Sequence, residues 1–244
     1  MTNEYFVNIS YVKKKLEEYL STIFKVYGNE LVLKLEDYNL LQSEHNCIES
    51  STATGFIMEE FITSKLEIYT SNHNETNEIK VHKISNSTVN SSYDCYVEYK
   101  NIFFMINIKV EKSRSNNNGV SAINILHYDY VECNADKDKA YLVLKTNYCF
   151  NKSSKDGERK IFIDKIYGYF LEQIDFSKGY QQDNRNWSSN FNGNSGRLQI
   201  TQTILKNNQL KEKDISYERT KEFIHKIYLD NLLNLNKEST EDIE

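Results

Sequence analysis

YDCYVEYKNIFFMINIKVEK, residues Tyr93–Lys112, decides how the rest of the chain is read. A two-residue turn at Lys100-Asn101 folds this stretch back on itself as a β-hairpin. Tyr99 then faces Ile102, Glu98 faces Phe103, and Asp94 faces Asn107. Side chains alternate along a strand. Met105, Asn107, Lys109 and Glu111 therefore share one face, while Phe104, Ile106, Ile108 and Val110 share the other, which reads as the buried one. That register brings Asp94, Asn107 and Lys109 together beside an apolar core. An acid, a carbonyl-bearing side chain and a lysine on a rigid hairpin suit metal-dependent phosphodiester chemistry.

The elements around the hairpin support that reading. Gly55–Tyr69, GFIMEEFITSKLEIY, reads as a helix, and Glu59-Glu60 give it two acids. Glu49–Thr54 is polar and turn-like, with Ser51, Thr52 or Thr54 as its cap. Ile79–Ile84 alternates as a first strand, with His82 on the surface. Ser113–Gly119 is a loop, Val120–Val131 a helix crossing the sheet, and Ala140–Phe150 a β-branched and aromatic central strand.

A strand-opening Asp, a hairpin, then acid-x-Lys on the return strand is the pattern of the PD-(D/E)xK nuclease superfamily, which this stretch resembles and whose most familiar members are type II restriction endonucleases. The motif here is Tyr93-Asp94, twelve residues, then Asn107-Ile108-Lys109. Tyr93 replaces a proline at a position that varies. Asn107 stands where Asp or Glu is usual, and an amide oxygen can ligate Mg²⁺ without supplying charge. Three explanations are open: a variant that works with Asn, substitution by a neighbouring acid such as Glu111, or a disarmed site. Gly55, three residues, then Glu59-Glu60-Phe61 resembles the superfamily's glutamate-donating helix.

The resemblance implies a restriction-endonuclease-like α/β core, a mixed central sheet flanked by helices, with added helices at both termini. It implies Mg²⁺ held by Asp94, the carbonyl of Ile108 and Glu59 or Glu60. Asn107 would hold a metal-bound water or the metal itself, and Lys109 would orient water or stabilise developing charge. It also implies double-stranded DNA as substrate and a homodimer, since two strands are cut. A non-catalytic DNA-binding protein on the same fold, and a repair or junction-resolving nuclease, are the alternatives.

The rest of the chain divides as an N-terminal helical segment over 1–50, a nuclease core over 51–175, and a recognition loop, strand and closing helix over 176–244. Tyr11–Tyr27 repeats apolar residues at helical spacing, and Leu31–Leu41 reads as a second helix for packing or dimerisation. Ile161–Phe176 is open between strand and helix. Gly179–Gly196 carries Trp187, Arg185 and Asn190 in a base-reading composition. Arg197–Leu205 is a strand edge near it, alternating Leu198, Ile200 and Thr203 with polar Gln199 and Gln202, and Arg197 and Gln199 join the expected DNA contacts. Arg114, Asn117 and Asn118 extend the expected DNA contacts. Tyr217–Leu235 is a helix and Lys237–Glu244 a frayed acidic tail.

Composition sets the bounds. The 244 residues carry a net charge of −5, which is not the footprint of a simple DNA-binding domain. Charge is uneven, however. Residues 1–60 hold five Lys against ten acids, and residues 178–213 hold six Lys and Arg against two acids. The four cysteines form no CxxC pair, so a structural zinc site is not expected. The glycines form no nucleotide-binding loop, so no nucleotide cofactor is expected. No run reads as a membrane span and no signal peptide opens the chain, so a cytoplasmic protein is expected.

Overall fold

The computed structural model describes residues 3–26, 30–32, 51–72, 78–84, 91–113, 119–150, 160–176, 187–190, 196–200 and 215–241. Helix α1 (Asn3–Val26) starts eight residues before the expected Tyr11. Its stripe Ile9, Val12, Leu16, Leu20, Ile23 and Phe24 is buried, which is what its three- and four-residue spacing dictates. The expected helix over Leu31–Leu41 does not form at its start. Glu30–Val32 is instead strand β1, paired antiparallel with a later strand. Residues 33–50 lie outside the described set.

Helix α2 (Ser51–Asn72) takes in Ser51–Thr54, which the sequence suggested was a turn. It packs against α1 and against the hairpin's return strand. Strand β2 is only His82–Lys83, although Ile79 and Val81 before it are fully buried.

The hairpin has the expected form. β3 (Cys95–Tyr99) and β4 (Ile102–Lys112) pair with Tyr99 opposite Ile102 and Glu98 opposite Phe103. Lys100 and Asn101 both have positive φ, 46° and 63°. Two left-handed central residues make a type I′ turn, whose twist matches the strands it joins.

One expectation about the hairpin is corrected. Both faces of β4 are covered, so Phe103, Met105 and Asn107 are buried as well as Phe104, Ile106 and Ile108. The reason is its neighbour: β4 runs parallel to β6 (Asp138–Phe150) over eleven residue pairs. A parallel pair needs a crossover connection, and such sheets are buried on both sides.

That crossover opens with strand β5 (Gly119–Ala122), then the short helix α3 (Ile123–His127), which continues as a π-helical turn over Tyr128–Glu132. Val120–Ala122 is therefore strand rather than helix. Lys139, fully buried at the start of β6, closes this turn by donating to the carbonyls of Asp129 and Tyr130, both at 3.0 Å, and of Cys133. A cation there satisfies carbonyls that the turn leaves unpaired.

The ambiguity over Ile161–Phe176 resolves as strand β7 (Lys160–Phe170) followed by a 3-10 turn over Leu171–Gln173. The main sheet has the order β1-β7-β6-β4-β3-β2, with β4–β6 its parallel pair. A second sheet has the order β5-β9-β8, where β8 is Trp187–Asn190 and β9 is Arg197–Ile200. Helix α4 (Tyr217–Glu241) packs on α3 and extends into the expected tail. The result is the expected mixed α/β architecture, a central sheet flanked by helices with added helices at both termini. Among the described residues no helix is long and apolar enough to cross a membrane.

Candidate functional site

β3 begins only at Cys95, opposite Ile106, but β4 continues to Lys112. Beyond Ile106 the edge of β4 has lost its strand neighbour, and its backbone groups need other partners. Two carboxylates take that place. Asp94 Oδ2 accepts from the Ile108 N–H at 2.6 Å. Glu59 Oε1, from α2, accepts from the Val110 N–H at 3.2 Å. Alternate residues of a strand point their backbone groups to the same edge, so both acids sit along one side of β4. A residue's C=O points the same way as its N–H, which sets the Ile108 carbonyl on that side too.

The hairpin register slips at its end to allow this. Cys95 pairs with Ile106, and the Asp94 N–H also donates to the Ile106 carbonyl, at 2.9 Å. Asp94 is thus not set opposite Asn107 as a regular ladder requires. Its carboxylate is turned to the strand edge instead.

Lys109 lies between the two acids in electrostatic terms. Burial pushes the Asp94 carboxyl above its ordinary range; the Lys109 ammonium and the Ile108 N–H pull it back, and Glu60 pushes it up further. Burial also raises Glu59, again opposed by Lys109 and the Val110 N–H and reinforced by Asp94. Burial thus opposes the ionisation of both half-buried acids, while the Lys109 ammonium favours it.

The helix glutamates separate in role. Glu59 faces the strand. Glu60 is exposed and pairs with Lys83 of β2, while Lys83 also donates to Ser64 Oγ at 3.1 Å. Adjacent helix residues point about 100° apart, so only one could face β4.

Asn107 is placed differently from the sequence reading. Its side-chain nitrogen meets the carbonyls of Ser92 at 3.0 Å and Val120 at 2.9 Å, and the Tyr141 hydroxyl at 2.8 Å. The amide ties β4 to the segment before β3 and to the second sheet. Its Oδ1 is buried without a hydrogen-bond partner.

Glu111, the neighbouring acid that could substitute, is held by Lys145 of β6 at 3.0 Å, with the two side chains 6% and 1% exposed. Burial lowers the Lys145 pKa, Glu111 raises it, and Lys109, its cross-strand neighbour, lowers it again. Sequence reasoning missed Lys145. The available signal was a lysine in the middle of the apolar run AYLVLKTNYCF. The Lys83–Glu60 pair was missed as well, since nothing local in the sequence joins residues 23 apart.

The expected DNA-contacting residues are only partly described. Arg114, Asn117, Asn118 and Arg185 lie outside the described residues. Trp187 and Asn190 are strand residues in β8 rather than loop residues, opposite Ile200 and Arg197. Leu198 and Ile200 are buried and alternate with half-buried Gln199, the alternation expected of this strand, and Arg197 is exposed.

A hard divalent cation fits the donor set. Two carboxylates and a backbone carbonyl are oxygen ligands of the kind Mg²⁺ takes while keeping several waters. Among the described residues no three His, Cys, Asp or Glu side chains gather to hold a metal ion by themselves, so water and substrate oxygens would complete the shell.

No family model matches the sequence, and no curated protein matches it. Among solved structures, the chain is similar to one described as NlaIV restriction endonuclease, with a TM-score of 0.48 and 11% identity over 89% of each chain.

Proposed function

We propose that this chain is a Mg²⁺-dependent endonuclease acting on double-stranded DNA, of the type II restriction kind, working as a homodimer. The observation that carries the reading is that Asp94 and Glu59, from separate elements, converge on one edge of β4 around Lys109. The resemblance to the PD-(D/E)xK motif rests on the same residues and is consistent with it.

Asp94, Glu59 and the Ile108 carbonyl would hold the cation. Mg²⁺ in such a site supplies charge to polarise a phosphate and to make bound water more acidic. Asp94 and Glu59 are fixed by the backbone N–H groups they accept from, so their free oxygens are preset. Lys109 supplies a positive charge to orient an attacking water and to meet negative charge as it develops on the phosphate. Asn107 acts as a strut between β4, Ser92 and Val120, and Glu60 is the more remote of the two helix acids.

The test is cleavage of mixed duplex DNA with Mg²⁺ by the full chain and by Asp94→Asn, Glu59→Gln and Lys109→Ala. Discrete fragments that vanish with each substitution, by about 10²-fold or more in rate, are expected. Fragments that persist in Lys109→Ala would overturn the assignment. A second reading, a non-catalytic DNA-binding protein, draws on the structural use of Asn107, which leaves the edge of β4 with two acids. Duplex binding without cleavage by the wild-type chain would establish that reading.

A further inference from the structure

We infer that Lys83 is a DNA-phosphate contact at the rim of the Asp94–Glu59–Lys109 site, covered by Glu60 until nucleic acid displaces it. The inference rests on the proposed action on DNA.

Lys83 lies on the edge strand β2, opposite Cys95 and so one residue from Asp94. The two segments stay joined beyond that pair, for the Ile84 N–H donates to the Asp94 carbonyl at 3.3 Å. The backbone of Lys83 is fixed from the helix side, where Glu67 Oε1 accepts its N–H at 2.9 Å. Its ammonium is held by Glu60 and Ser64. Lys83 is therefore anchored, with its side chain 28% exposed beneath Glu60, whose side chain is 66% exposed.

Charge argues that this pair does more than join α2 to β2. Glu60 directly follows Glu59 on α2, and Lys83 lies opposite the residue after Asp94, so the pair borders the site on both its elements. An ion pair with one partner open to solvent contributes little stability, about 0–1 kcal/mol, and its solvated member is readily exchanged for a stronger partner. A phosphate diester beside the site is such a partner, with full charge and several acceptor oxygens. Leaving Glu60 for a phosphate keeps Lys83 paired.

The experiment is equilibrium binding of the full chain to a fluorescent random-sequence duplex, with Ca²⁺ replacing Mg²⁺, at several salt concentrations. Lys83→Gln is expected to weaken binding at low salt about 3- to 10-fold and to lower the salt slope by about one. Lys83→Arg is expected to keep the slope. Glu60→Gln is expected to strengthen binding about 3-fold, because it uncovers Lys83. An unchanged slope in Lys83→Gln, with wild-type binding intact, overturns the inference alone. Equal weakening by Lys83→Gln and Glu60→Gln also overturns it, since that marks a purely structural clip. If the wild-type chain binds no duplex, the DNA reading falls and takes this inference with it.

Discussion

Asn107 shows how a residue type is reused. Its side-chain N–H groups point at two main-chain carbonyls, Ser92 and Val120. An aspartate there has no hydrogens to give and brings charge into a buried place. Asn107→Asp is therefore expected to destabilise the fold by about 2–4 kcal/mol and not to switch on cleavage. Urea titration with a parallel digestion assay checks this, and a stable, more active variant would contradict it. Asp94 and Glu59 behave oppositely. Burial raises both carboxyl pKa values, so ionising them costs stability as pH rises through their folded values. Asp94→Asn and Glu59→Gln keep an oxygen to accept from the Ile108 or Val110 N–H. Each is expected to stabilise the metal-free protein by about 0.5–2 kcal/mol while losing cleavage, read by thermal melting in chelator. A fall in melting temperature would argue against a strained site.

At the scale of elements, the hairpin turn carries a correctable flaw. Lys100 at φ 46° is not a residue suited to the left-handed region. Lys100→Asn with Asn101→Gly, the preferred pair for this turn, is expected to add about 0.5–1 kcal/mol, measured by denaturant titration. The β4–β6 pairing carries the opposite lesson. Glu111→Leu alone leaves Lys145 buried without its carboxylate and is expected to cost about 3–5 kcal/mol, whereas Glu111→Leu with Lys145→Met is expected to recover most of that. Near-additive losses would mean that the pair does not act as a unit. The hairpin, α1 and α2 were legible because each announces itself within a short window, by turn residues or by periodicity. The β1 strand was not, since Glu30–Val32 owes its form to pairing with Lys160–Phe162, 130 residues on. Val120–Ala122 was misread for the same reason, as its partner is β9. Within the candidate site, motif spacing brought Asp94 and Lys109 together with one of Glu59 and Glu60, and only the fold separates the two glutamates. The hydrogen bonds of Asn107 could not be read, because Tyr141 and Val120 reach it only in the folded sheet.

For the whole molecule, pH exposes two opposed contributions. Burial raises Glu172 from 4.5 to about 7, against the hydrogen bonds it accepts from the Tyr130 hydroxyl and the Tyr141 N–H. The fold therefore binds this proton more tightly than the unfolded chain does. Its contribution is present below pH 4.5 and is lost as pH rises through about 7, up to about 3 kcal/mol. Glu172→Gln is expected to flatten that decline, measured as unfolding free energy at pH 5 and pH 8. His127 works the other way. Burial lowers its pKa below 6.5, with Glu132 raising it and His225 lowering it again. It is stacked on Tyr228 and its Nε2 lies 2.9 Å from His225 Nδ1, joining α3 to α4. Its contribution is present above pH 6.5 and is lost as pH falls through the lowered value. An acid-side loss that persists undiminished in His127→Phe would refute that assignment.

The substitution of two carboxylates for a missing strand along β4 has a practical consequence. The amide hydrogens of Ile108 and Val110 are secured by Asp94 and Glu59 rather than by a ladder. Their exchange with solvent deuterium is thus governed by the state of those two acids, while the amides of β4 that face β6 follow the opening of the sheet. Following these two hydrogens by NMR makes the strand its own indicator, reporting occupation of the site with no nucleic acid present and no bond cleaved.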